Sequence, residues 1–205
     1  MIAITDYGMG NLRSVQKALE SLGARSEITS DPDKISSADK VILPGVGAFK
    51  DAMDELAQRE LIEPIKASAR EKPFLGICLG LQLIFDESEE DGLHEGLGLV
   101  PGRVVRFAFE ENGSAPKLKI PHMGWNALEF KNDIPLFKGL ESGVYTYFVH
   151  SFYAAPVSED VVAATADYGK PFPAVVARDN FFATQFHPEK SQAVGLKMLE
   201  NFIAL

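Results

Sequence analysis

Through its first half the chain alternates short apolar runs with longer amphipathic stretches, and three of those runs end in glycine-bearing turns. Residues 2–6 (IAITD) read as a strand, followed by GMGN and a helix over about 12–22. Residues 24–29 read as a second strand and 40–43 as a third, which leads into the loop PGVGAF at 44–49. A helical stretch then extends to about residue 69, with Pro64 as a break or as the start of a second helix. Strands separated by helices require parallel βαβ units with right-handed crossovers. The second half changes character. Residues 102–110, 126–130, 144–153, 161–166, 174–178 and 181–186 read as strands between turn residues, and a helix over about 191–203 closes the chain. The expectation is an α/β fold in one domain, residues 1–205: an open mixed sheet with a parallel, doubly wound core and an antiparallel extension, flanked by helices.

In open α/β sheets, sites gather at the carboxyl ends of the parallel strands. DYGMGN, PGVGAF and GICLG fall there. None completes a G-x-G-x-x-G or a Walker pattern, so a phosphate cradle is not supported. The third turn holds the only cysteine, Cys78, with Gly76 and Gly80 two places to either side. A run of strand length, 74–77, precedes it. Leu79, Leu83 and Ile84 follow at helical spacing, and Glu87, Glu89 and Glu90 close that segment as a predicted helix. Most free cysteines are small buried hydrophobes. A cysteine at a sharp strand-to-helix turn instead has the geometry of a nucleophile elbow, where unpaired N–H groups and the helix dipole favour an anion. G-x-C-x-G alone fits both readings, and a partner base decides between them.

Four histidines are available. His94 lies in the acidic stretch DESEEDGLHEG, which reads as a solvated helix end and loop. His122 (PHMGWN) and His150 (YFVHSF) sit in or beside strands. His187, in ATQFHPEKS, is the best base: Pro188 biases it to extended backbone, and the period of two then puts Glu189 on its side of the chain. Cys78, His187 and Glu189 thus supply nucleophile, base and orienter for acyl transfer. No C-x-x-C, H-x-x-H or H-E-x-x-H pattern occurs, so neither a metal nor a cofactor is expected.

The bulk numbers fit this reading. A chain of 205 residues, 46% hydrophobic and 24% charged, can build one α/β domain with a core. A net charge of -9 disfavours nucleic acid or an anionic membrane as the main partner. No basic n-region or long apolar stretch is visible, and one cysteine cannot form an intrachain disulfide, so a cytoplasmic protein is expected.

GICLGLQ together with FHPEKS resembles the triad-type, class I glutamine amidotransferases. DYGMGNLRSV, PGVGAF, PHMGWN and YFVHSF extend the resemblance to the glutaminase subunits of imidazole glycerol phosphate synthases, in family order and over essentially the whole chain. One departure is Leu81, where many relatives carry methionine or histidine. The resemblance implies that Cys78 attacks the side-chain amide of glutamine, that His187 moves the protons and that Glu189 orients it. It implies glutamine held by Gln82, Gly47 and main chain around Ser151 and Phe152. An oxyanion needs two donors: Leu79 N–H is one, and Val46 N–H, on a Gly45–Val46 peptide free to turn over, is the expected second.

The resemblance further implies a protein partner, the (β/α)₈-barrel synthase subunit, receiving ammonia for histidine biosynthesis, with Asn11, Met123, Trp125, Asn126, Tyr147 and Lys190 on the interface side. Tryptophan and tyrosine are typical anchors of interfaces and of cores alike. Two neighbouring readings are an amidotransferase subunit of a different synthase and a stand-alone γ-glutamyl hydrolase.

Overall fold

The structure, a computed structural model, describes residues 1–109 and 118–205. In chain order the first half runs β1 (Ile2–Thr5), α1 (Leu12–Ser21), β2 (Ser26–Thr29), α2 (Pro32–Ser37), β3 (Lys40–Gly45), α3 (Phe49–Gln58), α4 (Ile62–Glu71), β4 (Phe74–Cys78) and α5 (Leu79–Leu83). The strands β5 (Phe85–Ser88), β6 (His94–Glu95), β7 (Val100–Arg106), β8 (His122–Ala127) and β9 (Glu129–Phe130) follow. The chain ends with β10 (Tyr145–His150), β11 (Phe152–Pro156), β12 (Val162–Asp167), β13 (Pro171–Arg178), β14 (Phe181–Thr184) and α6 (Gln192–Ile203).

The main sheet has eight strands in the order β2-β1-β3-β4-β14-β13-β12-β9. From β2 to β14 every pairing is parallel; from β14 outward every pairing is antiparallel. Both faces of the parallel part are covered, which is why β1 and β3 are apolar without alternation. Ala3, Val41 and Leu43 join Phe49, Leu56 and Ile65 on one side. Ile2, Ile4 and Ile42 join Val15, Leu19, Leu199 and Phe202 on the other. The chain leaves β1 for β2 in one direction and then crosses to β3 on the opposite side, so the topological switch lies between β1 and β3. The turns after β1, β3, β4 and β14 therefore open at one end of four adjacent strands.

The antiparallel extension is present, but half of the strands expected for it lie elsewhere. Two further sheets form, β10-β8 and β11-β7-β5-β6. The run 144–153 splits at Ser151 into β10 and β11, which enter different sheets. The run 126–130 likewise divides between β8 and β9. The strand expected over 102–110 is β7, which starts earlier and ends at Arg106; residue 110 lies outside the described residues.

The predicted helix after Cys78 is also corrected. It stops at Leu83, because the carbonyls of Leu83, Ile84, Phe85 and Asp86 accept N–H groups from Leu97, Leu99, Gly98 and Gly96 rather than from the next helical turn. Phe85–Ser88 becomes a strand, pairing through Phe85 with Val100. One helix had no sequence-based expectation: α2, which Asp31 caps by accepting the N–H groups of Asp33 and Lys34, with Pro32 at its first position. No helix among the described residues is long and apolar enough to cross a membrane.

The elbow after β4 depends on backbone lying directly on backbone. A methyl group at Gly80 would overlap the Leu43 carbonyl oxygen on β3, and one at Gly76 would come within 2.8 Å of the Gly80 oxygen. Gly80→Ala is therefore expected to cost more than about 3 kcal/mol, lowering the melting temperature by about 10 °C. Thermal denaturation of the two proteins checks this; a drop under about 3 °C would mean that the elbow has room to spare.

Candidate active site

Cys78 ends β4 with φ 56° and ψ -106°. A non-glycine residue held there stores on the order of 1–3 kcal/mol of backbone strain. The strain falls on the cysteine itself. The flanking glycines supply close approach, seating the first turn of α5 against β3 and β4. Gly45, paired in register with Cys78, also lacks room for a side chain, because the Tyr7 hydroxyl and the Leu79 side chain occupy that space.

β14 lies beside β4 in parallel register, so the segment after β14 returns next to the elbow. His187 donates its main-chain N–H to the Tyr147 oxygen at 3.0 Å, and its own oxygen accepts from Ser191 Oγ at 2.6 Å. These two bonds fix the histidine backbone on β10. Its Nδ1 lies 2.9 Å from Glu189 Oε1, and both side chains are almost completely buried. A carboxylate oxygen accepts, so Nδ1 carries a hydrogen in both charge states of the ring, and Nε2 is the nitrogen that gains or loses a proton. The sequence argument reached Glu189 by strand periodicity, and the mechanism of contact is different: Pro188–Lys190 is a 3-10 turn that folds the carboxylate back onto the ring. His187 itself is extended, as Pro188 requires.

Nε2 is buried and has no hydrogen-bond partner among the described residues. Cys78 Sγ is near enough to act on the ring but makes no aligned bond to it, and lies 4.0 Å from the Val149 oxygen. Such contacts commonly tighten only when substrate binds. Burial pulls the His187 pKa down, but the Cys78 sulfur and the Glu189 carboxylate outweigh it and raise the imidazole to about 9.

Cys78 and His187 line one cavity of about 300 Å³, sized for a small polar molecule. Val46, Gly47, Leu79, Gln82, Ser151 and Phe152 line it too, so every expected glutamine contact and both expected oxyanion donors are gathered here; Gly45, the other residue expected at the oxyanion hole, does not line the cavity and packs against the Tyr7 hydroxyl. Leu79 is the first residue of α5, where an N–H has no intrahelical acceptor. Gln82 spends its Nε2 hydrogens on the Phe152 oxygen at 3.0 Å and Gln185 Oε1 at 3.2 Å.

Sequence reasoning missed Glu90, which it placed in a solvated stretch. Its carboxylate lines the cavity and accepts the Phe49 N–H at 2.8 Å at the start of α3. Burial raises its pKa, opposed by that N–H. The absence of a capping side chain at Ala48 is the trace it leaves in the sequence. Ser191 was missed as well.

The residues expected at an interface divide. β8 and β10 form a ribbon in which Trp125 pairs with Tyr147, their rings 6.1 Å apart, and Met123 pairs with Val149. Met123, Trp125 and Tyr145 are exposed on it, and Lys190 is exposed nearby. Asn126 is half-buried and donates to the Asp167 oxygen at 2.7 Å. Asn11 precedes α1 and accepts from Ser14 Oγ at 2.8 Å.

A mixed α/β sheet with a strained cysteine elbow and a buried His–Glu pair defines the class, and the comparisons name it. The family model for class I glutamine amidotransferases matches residues 3–205. The chain belongs to that family of enzymes. Two curated relatives are the imidazole glycerol phosphate synthase subunit HisH of Syntrophotalea carbinolica, 57% identical over 98% of this chain and 98% of its own, and that of Geobacter metallireducens, 54% identical over 98% and 96%. Among solved structures, PurLQS from Thermotoga maritima superposes with a TM-score of 0.74 at 22% identity, over 99% of this chain and 97% of that one. The glutaminase domain of Trypanosoma brucei CTPS gives 0.66 at 17%, over 98% and 92%. These two show the shared fold.

The raised His187 pKa has a consequence for stability. Between about 6.5, the value in the unfolded chain, and about 9, the folded protein holds a proton that the unfolded chain releases. The contribution is fully present below pH 6.5 and lost as pH rises toward 9. The urea midpoint is expected to fall across that window, and to fall less in Glu189→Gln. Parallel profiles for the two proteins would exclude His187 as the source.

Proposed function

We propose that this chain is the glutaminase subunit of an imidazole glycerol phosphate synthase, one amidotransferase domain that hydrolyses glutamine and delivers ammonia to a (β/α)₈-barrel partner. The observation that carries the chemistry is the meeting of Cys78 and His187 at one cavity, with Glu189 bonded to the far nitrogen of the ring. The names and identities of the curated relatives carry the choice of synthase.

In this reading the thiolate of Cys78 attacks the amide carbon of glutamine, and the carbonyl oxygen becomes an oxyanion. Leu79 N–H and Val46 N–H donate to it. His187, protonated at Nε2 after taking the thiol proton, gives that proton to the departing nitrogen, and ammonia leaves as the C–N bond breaks. The neutral imidazole then takes a proton from water. The resulting hydroxide cleaves the γ-glutamyl thioester, releasing glutamate and restoring the thiol. Glu189 stabilises the imidazolium at each step. Gln82, Gly47, Ser151 and Phe152 hold the glutamine.

Ammonia in neutral water is protonated and no longer a nucleophile, so it must travel enclosed. The outward face of the β8–β10 ribbon suits a docking partner: Met123, Trp125 and Tyr145 leave apolar surface uncovered beside the cavity that Val149 lines. A cytoplasmic setting fits a nucleophile that must remain a free thiol.

The test is ammonia release from glutamine by this chain alone, with the barrel subunit, and with barrel plus its acceptor ligand. Cys78→Ser is expected to abolish release, at least about 10³-fold, and mass spectrometry of the wild type with a glutamine-like electrophile to show one adduct on Cys78. If partner docking completes the oxyanion hole at Val46, the rates differ by about 10²–10³. Equal rates in all three mixtures end that part of the reading, and turnover by Cys78→Ser ends all of it.

A further inference from the structure

From the wall of the cavity, which His150 lines, a row of polar groups that the chemistry above does not use runs away to His122 and Asn126. His122 starts β8 and His150 ends β10, and the two are direct cross-strand partners. His150 Nδ1 lies 2.8 Å from the Phe152 oxygen. A carbonyl oxygen only accepts, so this nitrogen carries the hydrogen. His150 Nε2 lies 2.9 Å from His122 Nδ1. In a neutral His150 this nitrogen is bare, so His122 Nδ1 must donate to it. His122 Nε2 is then bare in turn and faces the Asn126 Nδ2 group at 3.4 Å. Asn126 has hydrogens for two acceptors, and the other goes to the Asp167 oxygen. The bonds therefore run in one direction, from Asn126 through His122 and His150 to the Phe152 carbonyl.

Both rings are buried in a cage of Phe107, Phe148, Tyr168 and Phe172, with His122 stacked on Tyr168 at 4.1 Å. Burial holds both neutral, His122 pulled down to about 4 and His150 to about 3. The Phe152 carbonyl receives a second donor, Gln82 Nε2. That bond, with the one to Gln185, leaves Gln82 Oε1 as the group it can offer the cavity.

We infer that His150 and His122 are positioning residues for glutamine binding: a one-way hydrogen-bond line that fixes the Phe152 carbonyl, and through it both the Ser151–Phe152 segment and the orientation of the Gln82 amide. The inference rests on the glutaminase reading above. It assigns the histidines no contact with the reacting atoms. Their loss acts on how well glutamine is held, and the chemical step is left in place.

Two measurements test it. On the full chain at neutral pH, ¹⁵N-histidine NMR is expected to show both rings as neutral Nδ1–H tautomers, the minor form of free imidazole; Nε2–H tautomers or an imidazolium at either residue overturn the line. With the barrel subunit present, His150→Leu is expected to raise KM for glutamine about 10-fold, the loss of one hydrogen bond, with kcat within about two-fold. His150→Asn, whose amide can replace Nδ1 toward Phe152, is expected to recover most of that loss. His122→Phe keeps a ring between Tyr168 and Phe148 while cutting the line outside the cavity, and should raise KM without changing kcat. A changed melting temperature with unchanged KM in all three variants overturns the positioning role while leaving the glutaminase reading intact. A wild type that does not turn over glutamine overturns both.

Discussion

The main chain of the elbow rests on the main chain of its neighbours, and the rest of the site follows from that contact. Gly80 lies against the Leu43 carbonyl of β3, Gly76 against the Gly80 carbonyl, and Gly45 against the Tyr7 hydroxyl. With no side chains between them, α5 begins directly over β3 and β4. Cys78 is then left as the hinge, held in a left-handed conformation by packing on both sides. The strain is local, while the support comes from a sheet whose strands are buried on both faces. β14, next in the sheet, brings His187 to the same end.

Three buried histidines within one region have opposite electrostatic fates, and their neighbours decide it. His187 has a carboxylate at 2.9 Å and a sulfur beside it, so its charged form is favoured despite burial. His150 and His122 have a carbonyl, an amide and each other, with aromatic rings around them, so burial wins and both stay neutral. A proton carrier and a rigid support are thereby made from the same side chain at adjacent positions. The cavity between them needs both: one ring able to change its charge and two that do not.

The parallel half of the fold was legible because its signals are local. Apolar runs at 2–6, 40–43 and 74–77 became β1, β3 and β4, and the helical stretches became α1, α3 and α4. The segment after Cys78 was misread for the same reason. Its apolar spacing is helical, but the carbonyls from Leu83 onward bond to residues 96–100, a pairing with no local trace. Likewise, strand propensity in 144–153 says nothing of the two sheets it serves. Glu90 looked solvated because charge is its only local property; that it caps α3 depends on a contact 41 residues away.

By itself the sequence determined which chemistry was available: one thiol between two glycines, a histidine restrained by a proline, a carboxylate two residues on, and the blocks shared with the amidotransferases. Residue type and short spacing are enough for that, since they specify functional groups and backbone freedom. Only the tertiary structure decided how those groups meet. The unpartnered Nε2 of His187, the Asn126–Asp167 bond and the direction of the histidine line arise from contacts between distant segments, whereas the 3-10 turn that presents Glu189 is closed by its own local bonds. Hydrogen bonds have a donor and an acceptor, and which nitrogen carries the hydrogen is settled by the group opposite: for His187 and His150 that group is two residues on and the folded backbone turns it onto the ring, while for His122 it is His150, 28 residues away.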